Sequence, residues 1–176
     1  RFHSTIPGYE TTPLINLEEL AESLGVSNIW IKDESQRFGL KAFKVLGASY
    51  AVAKYFNKYF GANEGNITFS LFDNPEIRKH LKNFTLATAT DGNHGRGVAW
   101  MAQRLGCKCS VYMPKDTTQS RFENIKSHGA DVKIINGSYD EAVTLAKENS
   151  EKYGWLLIQD TSWDGYDKIP LWITQG

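Results

Sequence analysis

Short apolar runs alternate with longer segments of helical spacing through most of the chain. The runs with the length and composition of strands are 84–90, 110–113, 131–135 and 155–159. The last run, WLLIQ, is continuous, which is typical of a strand buried on both faces. Helical spacing follows residue 91 and recurs over 117–128 and over 138–153, where Ser138 and Glu141 form a capping-box pattern. Successive strand–helix units predict a parallel sheet with right-handed crossovers.

The first part of the chain has a less regular pattern. It predicts a short helix between Asn16 and Gly25, a strand over 28–32, a helix over about 42–59, a strand-like run over 67–72 and a short charged helix beginning at Pro75. The chain ends on KIPLWITQG, inside an apolar pattern with no closing signal. We therefore expect a fragment of a longer protein.

Composition and charge narrow the class of protein. The 176 residues, 41% of them hydrophobic, are enough for one core and a small second lobe. Lys+Arg and Asp+Glu both number 20, which argues against a general binder of nucleic acid or anionic membranes. No apolar run reaches the ~20 residues of a membrane helix, and the first ten residues lack the apolar core of a signal peptide. These features predict a soluble, cytoplasmic protein.

The two cysteines, Cys107 and Cys109, are two positions apart on a strand-like run. Alternate residues of a strand point to the same face, so this pair cannot easily form a disulfide. One C-x-C pair is also too little for a metal site. We expect both residues to be small buried apolar groups, and we expect no bound metal.

The segment TATDGNHGRGVAW, residues 88–100, indicates a ligand site. A strand turns into a helix through three glycines in six residues, which places backbone N–H groups and the helix dipole at the carboxyl edge of a sheet. Asp91, Asn93 and His94 make this turn unusually polar. Two simpler interpretations stay open, because Asp91 is also a good helix N-cap and glycines also permit tight packing.

Other strands should end at the same edge. The pairs that follow or end the predicted strands are Thr90-Asp91, Met113-Pro114 and Gln159-Asp160. We expect them to lie near one another, since the carboxyl ends of parallel strands meet at one edge. Asp160 could instead cap the segment that follows it. Asp164 and Asp167 fit loop positions better.

Lys44 is the candidate nucleophile. It lies at a predicted helix start, where the helix dipole and apolar neighbours such as Phe43 favour the uncharged amine that attacks a carbonyl. An ordinary solvated surface lysine is the competing interpretation. His94 at a helix start is more often a structural hydrogen-bonding residue, and Arg37 and Lys41 fit ordinary surface charge better than an anion site.

Four motifs occur together and in order: T-P-L at 12–14, K-D-E at 32–34, A-F-K-V-L-G-A around Lys44 and D-G-N-H-G-R-G-V-A at 91–99. The combination resembles the fold-type II pyridoxal-phosphate enzymes, the group of the tryptophan synthase β-chain, which have a three-layer parallel-sheet α/β fold. The resemblance implies that Lys44 forms the Schiff base with the cofactor, beside Phe43, and that Asn93 contacts its phenolic oxygen. It also implies that residues 1–83 are part of a large domain and 84–176 a smaller open α/β lobe.

The departures from the group's pattern point to one subgroup. Ala42 replaces a serine or threonine, Leu46 an arginine, and Asp91 the serine of the S-x-G-N-H loop. RFGLKAFKVLG, TDGNHGRGVAW and QDTSWDGYDKIPLWI together resemble the diaminopropionate ammonia-lyases. That resemblance implies elimination of ammonia from both enantiomers of 2,3-diaminopropionate to give pyruvate, with Asp91 and Asp160 as additional bases, in a homodimer with small amino-acid substrates.

Alternatives stay open at this point. One is a serine/threonine dehydratase-like lyase with the same cofactor, and another is a truncated, non-catalytic α/β domain. A nucleotide-binding Rossmann domain is weaker, because no G-x-G-x-x-G follows the first strand. The resemblance further implies that the cofactor's phosphate cup and the partner of its pyridine nitrogen lie beyond residue 176. We therefore expect the chain alone to be inactive.

Overall fold

A four-stranded parallel sheet forms the centre of the computed structural model, which describes residues 2–62 and 65–176. Its strands are β3 (Thr85–Ala89), β4 (Lys108–Met113), β5 (Asp131–Ile134) and β6 (Leu156–Leu157), in the spatial order β5-β4-β3-β6. Every pairing in this sheet is parallel. Two short antiparallel strands, β1 (Leu14–Asn16) and β2 (Trp30–Lys32), form a separate ribbon. The predicted parallel sheet is confirmed.

Seven α-helices in the described ranges connect and cover these strands. They are α1 (Glu18–Ser23), α2 (Lys44–Tyr59), α3 (Pro75–Leu81), α4 (Asn93–Leu105), α5 (Gln119–Lys126), α6 (Tyr139–Tyr153) and α7 (Lys168–Gln175). The predicted capping box is present at the start of α6, where Ser138 and Glu141 each bond the other's backbone N–H. None of the helices in the described part of the chain is both long and apolar enough to cross a membrane.

Alternate residues of a strand point to opposite faces of the sheet, and here both faces carry apolar residues. Helices therefore cover the sheet on both sides. On one face, Leu86 and Val111 join a large core shared with α2 and α4. On the other face, Ala87 and Tyr112 pack against Ala142 and the rest of α6. The large core combines residues from both sides of the predicted domain boundary at residue 83, and that boundary stays a prediction.

The apolar run over 67–72 is wrongly predicted as a strand. The structure has a 3₁₀ helix there, Phe69–Asp73. Residues three apart lie on the same side of a 3₁₀ helix, so Phe69 and Phe72 both enter the core and their rings pack edge to face with centroids 5.6 Å apart. A short apolar run does not distinguish the two structures, because aromatic residues suit either.

The cysteines are free, and Cys109 is buried while Cys107 is half-buried. Burial raises the pKa of both thiols to about 12, so neither forms a reactive thiolate near neutral pH. The described residues contain no cluster of three or more His, Cys, Asp or Glu side chains that could hold a metal ion. The expected packing role of the cysteines fits both observations.

Candidate active site

A polar cavity of about 330 Å³ opens at the carboxyl edge of the central sheet. It is lined by Lys44, Thr90, Asp91, Gly92, Asn93, His94, Arg121, Tyr139 and Asp160. The residues come from the start of α2, the β3–α4 turn, α5, α6 and the segment after β6. Polar groups of both charges therefore converge on a cavity of the size that holds a small molecule.

The amine of Lys44 makes a short ion pair with Asp160. The Nζ–Oδ2 distance is 2.6 Å, with side chains that are 44% and 17% exposed. Burial raises the pKa of Asp160, but attraction to a protonated His94 and the hydrogen bond from Lys44 lower it by more, so that its pKa lies below the usual value. Asp160 is thus a carboxylate throughout the neutral range, directly beside the candidate nucleophile.

Gln159, which is fully buried, holds Asp160 against the sheet. Its side-chain oxygen accepts bonds from the Ala89 backbone N–H at 2.9 Å and the Thr88 hydroxyl at 3.1 Å. Its Nε2 donates to the hydroxyl of Tyr139 at 2.9 Å and, more weakly, to Asp160 Oδ1 at 3.4 Å. These contacts fix the end of β6 to the end of β3. Within the described residues Asp160 caps no helix, since the next helix begins at Lys168 with Asp167 before it.

Thr90, rather than Asp91, satisfies the start of α4. Its Oγ1 accepts hydrogen bonds from the backbone N–H groups of Gly92 at 2.9 Å and Gly95 at 3.1 Å. Asp91 is exposed and makes no ion pair or hydrogen bond within the described residues. Its carboxylate is therefore free to face a ligand, and the N-cap interpretation of Asp91 is wrong.

Two of the glycines serve close packing, as the simpler interpretation held. A Cβ at Gly95 would lie 2.2 Å from Thr90 Cγ2, and one at Gly97 would lie 3.0 Å from Val45 Cα. The second contact lets α4 approach the first turn of α2. Arg96 adds a hydrogen bond of 2.9 Å to the Leu40 carbonyl, in the segment that leads into α2. These contacts place Lys44 beside the β3–α4 turn.

His94 is buried at the base of the cavity, with only 4% of its surface exposed. Its Nε2 donates to the Ile158 carbonyl oxygen at 2.7 Å, while Nδ1 lies 3.7 Å from Asp160 Oδ2. Burial lowers its pKa, and the attraction of Asp160 only partly offsets this effect. The bond from Nε2 is the structural hydrogen bond that was predicted for His94. It does not explain why Nδ1 is buried without a hydrogen-bond partner in the described residues.

Lys44, Asp91, Asn93 and Asp160, predicted from the sequence, all line the cavity. Phe43 is 63% exposed, so it does not provide the apolar cover expected for the Lys44 amine within this chain. Met113-Pro114 ends its strand at the same edge but is absent from the lining. Asn93, the first residue of α4, is exposed, and its side chain has no hydrogen-bond partner in the part of the chain that the structure describes.

Arg121 and Tyr139 also line the cavity, although neither was predicted as a site residue. Arg121 passes over the glycine turn, with Cδ 3.6 Å from the position of a Cβ at Gly92, and it makes no ion pair within the described ranges. Both residues lie in the first turn of a helix that follows a strand of the sheet, α5 after β4 and α6 after β5. That position is the signal that could have identified them, because such helices begin at the strands' carboxyl edge.

Arg37 corrects a prediction. It was expected at the surface, but only 4% of the residue is exposed. Its guanidinium makes bidentate bonds to Glu34, at 2.7 and 2.9 Å, and a 2.7 Å bond to the Glu10 carbonyl. The hydrogen bond from Arg37 lowers the pKa of Glu34. Arg37 therefore joins the N-terminal segment to the loop before α2 and does not face the cavity.

Comparison with known proteins agrees with this geometry. The family described as pyridoxal-phosphate dependent enzyme matches residues 6–171. Diaminopropionate ammonia-lyase of Salmonella typhimurium is 51% identical over 175 residues, which are 99% of this chain and 43% of that protein. The chain thus spans less than half the length of this relative.

Two crystal structures of Escherichia coli diaminopropionate ammonia lyase share this fold. The apo form matches with a TM-score of 0.91 and 44% identity, over 99% of this chain and 47% of that chain. The complex with an aminoacrylate-PLP azomethine reaction intermediate matches with a TM-score of 0.88, also at 44% identity, over 99% of this chain and 43% of that chain.

Proposed function

The chain belongs to the pyridoxal-phosphate-dependent enzymes, and from this premise we propose that it is part of a lyase that eliminates ammonia from 2,3-diaminopropionate. The observation that carries the proposal is the pairing of Lys44 with Asp160, at 2.6 Å, in a cavity that a second carboxylate, Asp91, also lines. The similarity to diaminopropionate ammonia-lyases over nearly the whole chain supports it.

The residues of the cavity fit pyridoxal phosphate. Lys44 offers an amine that is partly exposed to the cavity, and Asn93 offers an amide with no partner among the described residues. We propose that Lys44 holds the cofactor's aldehyde carbon, that Asn93 binds its phenolic oxygen, and that Phe43 lies against it. When bound, this cofactor supplies an electron sink for the pair of electrons left by a lost proton.

The chain's own residues then bind the substrate and move protons. Asp160 accepts a proton from the substrate's Cα, and Asp91 is positioned at a different strand end to act as a second base. The two carboxylates also attract the second ammonium group of diaminopropionate, which a serine in place of Asp91 would hold less strongly. The Cα hydrogens of the two enantiomers point in opposite directions, so both can be removed only if a base lies on each side of the substrate. Two carboxylates meet that requirement.

Arg121 is the cation that we assign to the substrate carboxylate, because it lines the cavity without an internal partner. A charge-assisted hydrogen bond is worth about 1.5–3 kcal/mol, so Arg121→Gln should raise KM for diaminopropionate about tenfold or more. The value of kcat should change less. Steady-state kinetics with Arg121→Lys as the charge-retaining control checks this, and an unchanged KM in Arg121→Gln would exclude the assignment.

A substrate panel tests the proposed function. The full-length enzyme with added pyridoxal phosphate is assayed for 2-oxo acid release from D- and L-2,3-diaminopropionate, D- and L-serine and L-threonine. We expect pyruvate from both diaminopropionate enantiomers, faster than from the other substrates. Preference for L-serine or L-threonine would favour the dehydratase alternative. Failure of every substrate, together with no cofactor spectrum, would favour a non-catalytic domain.

The resemblance also supports proposals about the whole protein. We propose a cytoplasmic homodimer without nucleic-acid or membrane partners, whose chain divides near residue 83 into part of a large domain and a smaller lobe. Light scattering of the full-length protein measures the subunit number. A monomeric mass would contradict the dimer and leave the assignment of the cavity unchanged.

A further inference from the structure

The imidazole of His94 has a buried nitrogen with no hydrogen-bond partner. Nε2 is bonded to the Ile158 carbonyl oxygen at 2.7 Å, but Nδ1 makes no hydrogen bond in the described part of the chain. The Asp160 carboxylate oxygen Oδ2 lies 3.7 Å from Nδ1. A buried polar atom without a partner is costly, and it calls for an explanation.

The contact with Ile158 determines which nitrogen carries hydrogen. A carbonyl oxygen only accepts, so Nε2 must be protonated in every state of the ring. In neutral His94 the lone pair therefore lies on Nδ1. Burial lowers the pKa of His94, which makes the neutral ring the main form near pH 7. The pKa of Asp160 lies below its usual value, so Asp160 is a carboxylate at that pH and accepts the hydrogen bond from Lys44.

Two acceptors therefore face each other when the site is at rest. The lone pair of Nδ1 and the Asp160 carboxylate lie too far apart for a hydrogen bond, and neither holds a proton for the other. The Lys44 amine donates to the same oxygen, Oδ2, at 2.6 Å. One added proton changes this arrangement, because a protonated Asp160 could donate to Nδ1 after a movement of about 0.5–1 Å.

We propose that His94 is a positioning residue that accepts a hydrogen bond from Asp160 once Asp160 has taken a proton. The proposal rests on the proposed elimination. In that step the Cα–H bond of the substrate breaks, its electron pair stays with the substrate, and an O–H bond forms on Asp160. The new O–H donates to His94 Nδ1, which holds the proton on a neutral acceptor.

The charged and titratable groups around Asp160 do not offer another acceptor of this kind. Lys44 and Arg121 are cations, and Asp91 lies at the exposed turn. The hydroxyl of Tyr139 already accepts a hydrogen bond from the side-chain amide of Gln159. The hydroxyl of Tyr166 already accepts a hydrogen bond from the backbone N–H of Gln159 and donates one to the carbonyl of Leu157. Among the described residues, Nδ1 of His94 is the buried acceptor within reach.

Two substitutions separate the two nitrogens of the ring. In His94→Gln, the amide nitrogen can replace Nε2 and keep the bond to Ile158, but no acceptor remains at the Nδ1 position. In His94→Asn, an amide oxygen lies near the Nδ1 position, but the bond to Ile158 is lost. We expect His94→Gln to keep its thermal stability and to lose about 10- to 100-fold in kcat, part of the ~10²–10⁴ that a general base contributes. His94→Asn should lose stability but less activity.

The pH dependence distinguishes this role from a structural one. A neutral His94 that accepts a hydrogen bond stabilises protonated Asp160 and so raises the pKa of Asp160, whereas a protonated His94 lowers that pKa by charge attraction. The acid limb of kcat should therefore move to lower pH in His94→Gln, and a move to higher pH would show that His94 acts as a cation instead. An unchanged acid limb and rate in His94→Gln would overturn the proposal.

A second measurement does not depend on activity. The ¹⁵N resonance of His94 Nδ1 in the full-length protein should report an unprotonated nitrogen at neutral pH. In Asp160→Asn its protonation should move to lower pH, because the neighbouring carboxylate is lost. A titration that is the same with and without the Asp160 carboxylate would refute the pairing. Failure of the wild-type enzyme to act on diaminopropionate, with the ¹⁵N titration as expected, would instead refute only the proposed function.

Discussion

Lys44→Ala in the full-length enzyme is expected to abolish the visible absorbance of the lysine-bound cofactor and the elimination reaction. The amine of Lys44 is the one lysine nitrogen that lines the cavity in the described chain, 2.6 Å from Asp160. The substitution removes the amine to which we propose the cofactor attaches. Because a general base alone contributes about 10²–10⁴ to the rate, activity should fall at least about 10³-fold.

Lys41→Ala is the matched control for this experiment. Lys41 lies three residues earlier and is exposed, and its side chain is not part of the cavity lining. The absorbance spectrum and kcat of the Lys41→Ala variant should stay close to those of the wild type. Absorbance spectra after addition and removal of free pyridoxal phosphate provide the measurement. Retention of the band in Lys44→Ala would return Lys44 to the status of an ordinary surface lysine.

The sequence pattern predicts the central sheet well because strand-like and helix-like spacings of apolar residues alternate clearly in that part of the chain. Strands β3 to β6 alternate with helices, and the central strands β3 and β4 are largely buried. The carboxyl-edge rule then brings Asp91 and Asp160 to one cavity, although 69 positions separate them in the chain. Local pattern and chain topology are sufficient for these elements.

The pattern does not predict contacts that depend on tertiary packing. The burial of Arg37 arises from Glu34 and the Glu10 carbonyl, which charge and spacing alone do not bring together. Likewise, the contact between Lys44 and Asp160 joins residues 116 positions apart. In the glycine-rich turn, the sequence predicts that Asp91 lies at the cavity. It does not predict that Gly95 and Gly97 are required by close packing against Thr90 and Val45.

Asp160→Asn and Asp91→Asn are expected to reduce kcat/KM for opposite enantiomers of diaminopropionate. Each amide keeps the shape of the carboxylate but cannot accept a proton, so the affected enantiomer should lose about 10²–10⁴ in rate. Stopped assays of pyruvate from D- and L-substrate give the two ratios. Asp164→Asn, in an exposed loop position, is the control and should leave both ratios unchanged.

The two substitutions should differ little in stability, which allows the kinetic effects to be compared. Asp91 is exposed and unpaired in the described chain, so its replacement should change the free energy of unfolding by less than about 0.5 kcal/mol. Asp160 loses an ion pair to a Lys44 that is 44% exposed, which limits the cost to about 1 kcal/mol. Equal losses for both enantiomers in each variant would contradict a separate base for each face. Unchanged rates in Asp91→Asn would leave Asp160 and Lys44 to serve both.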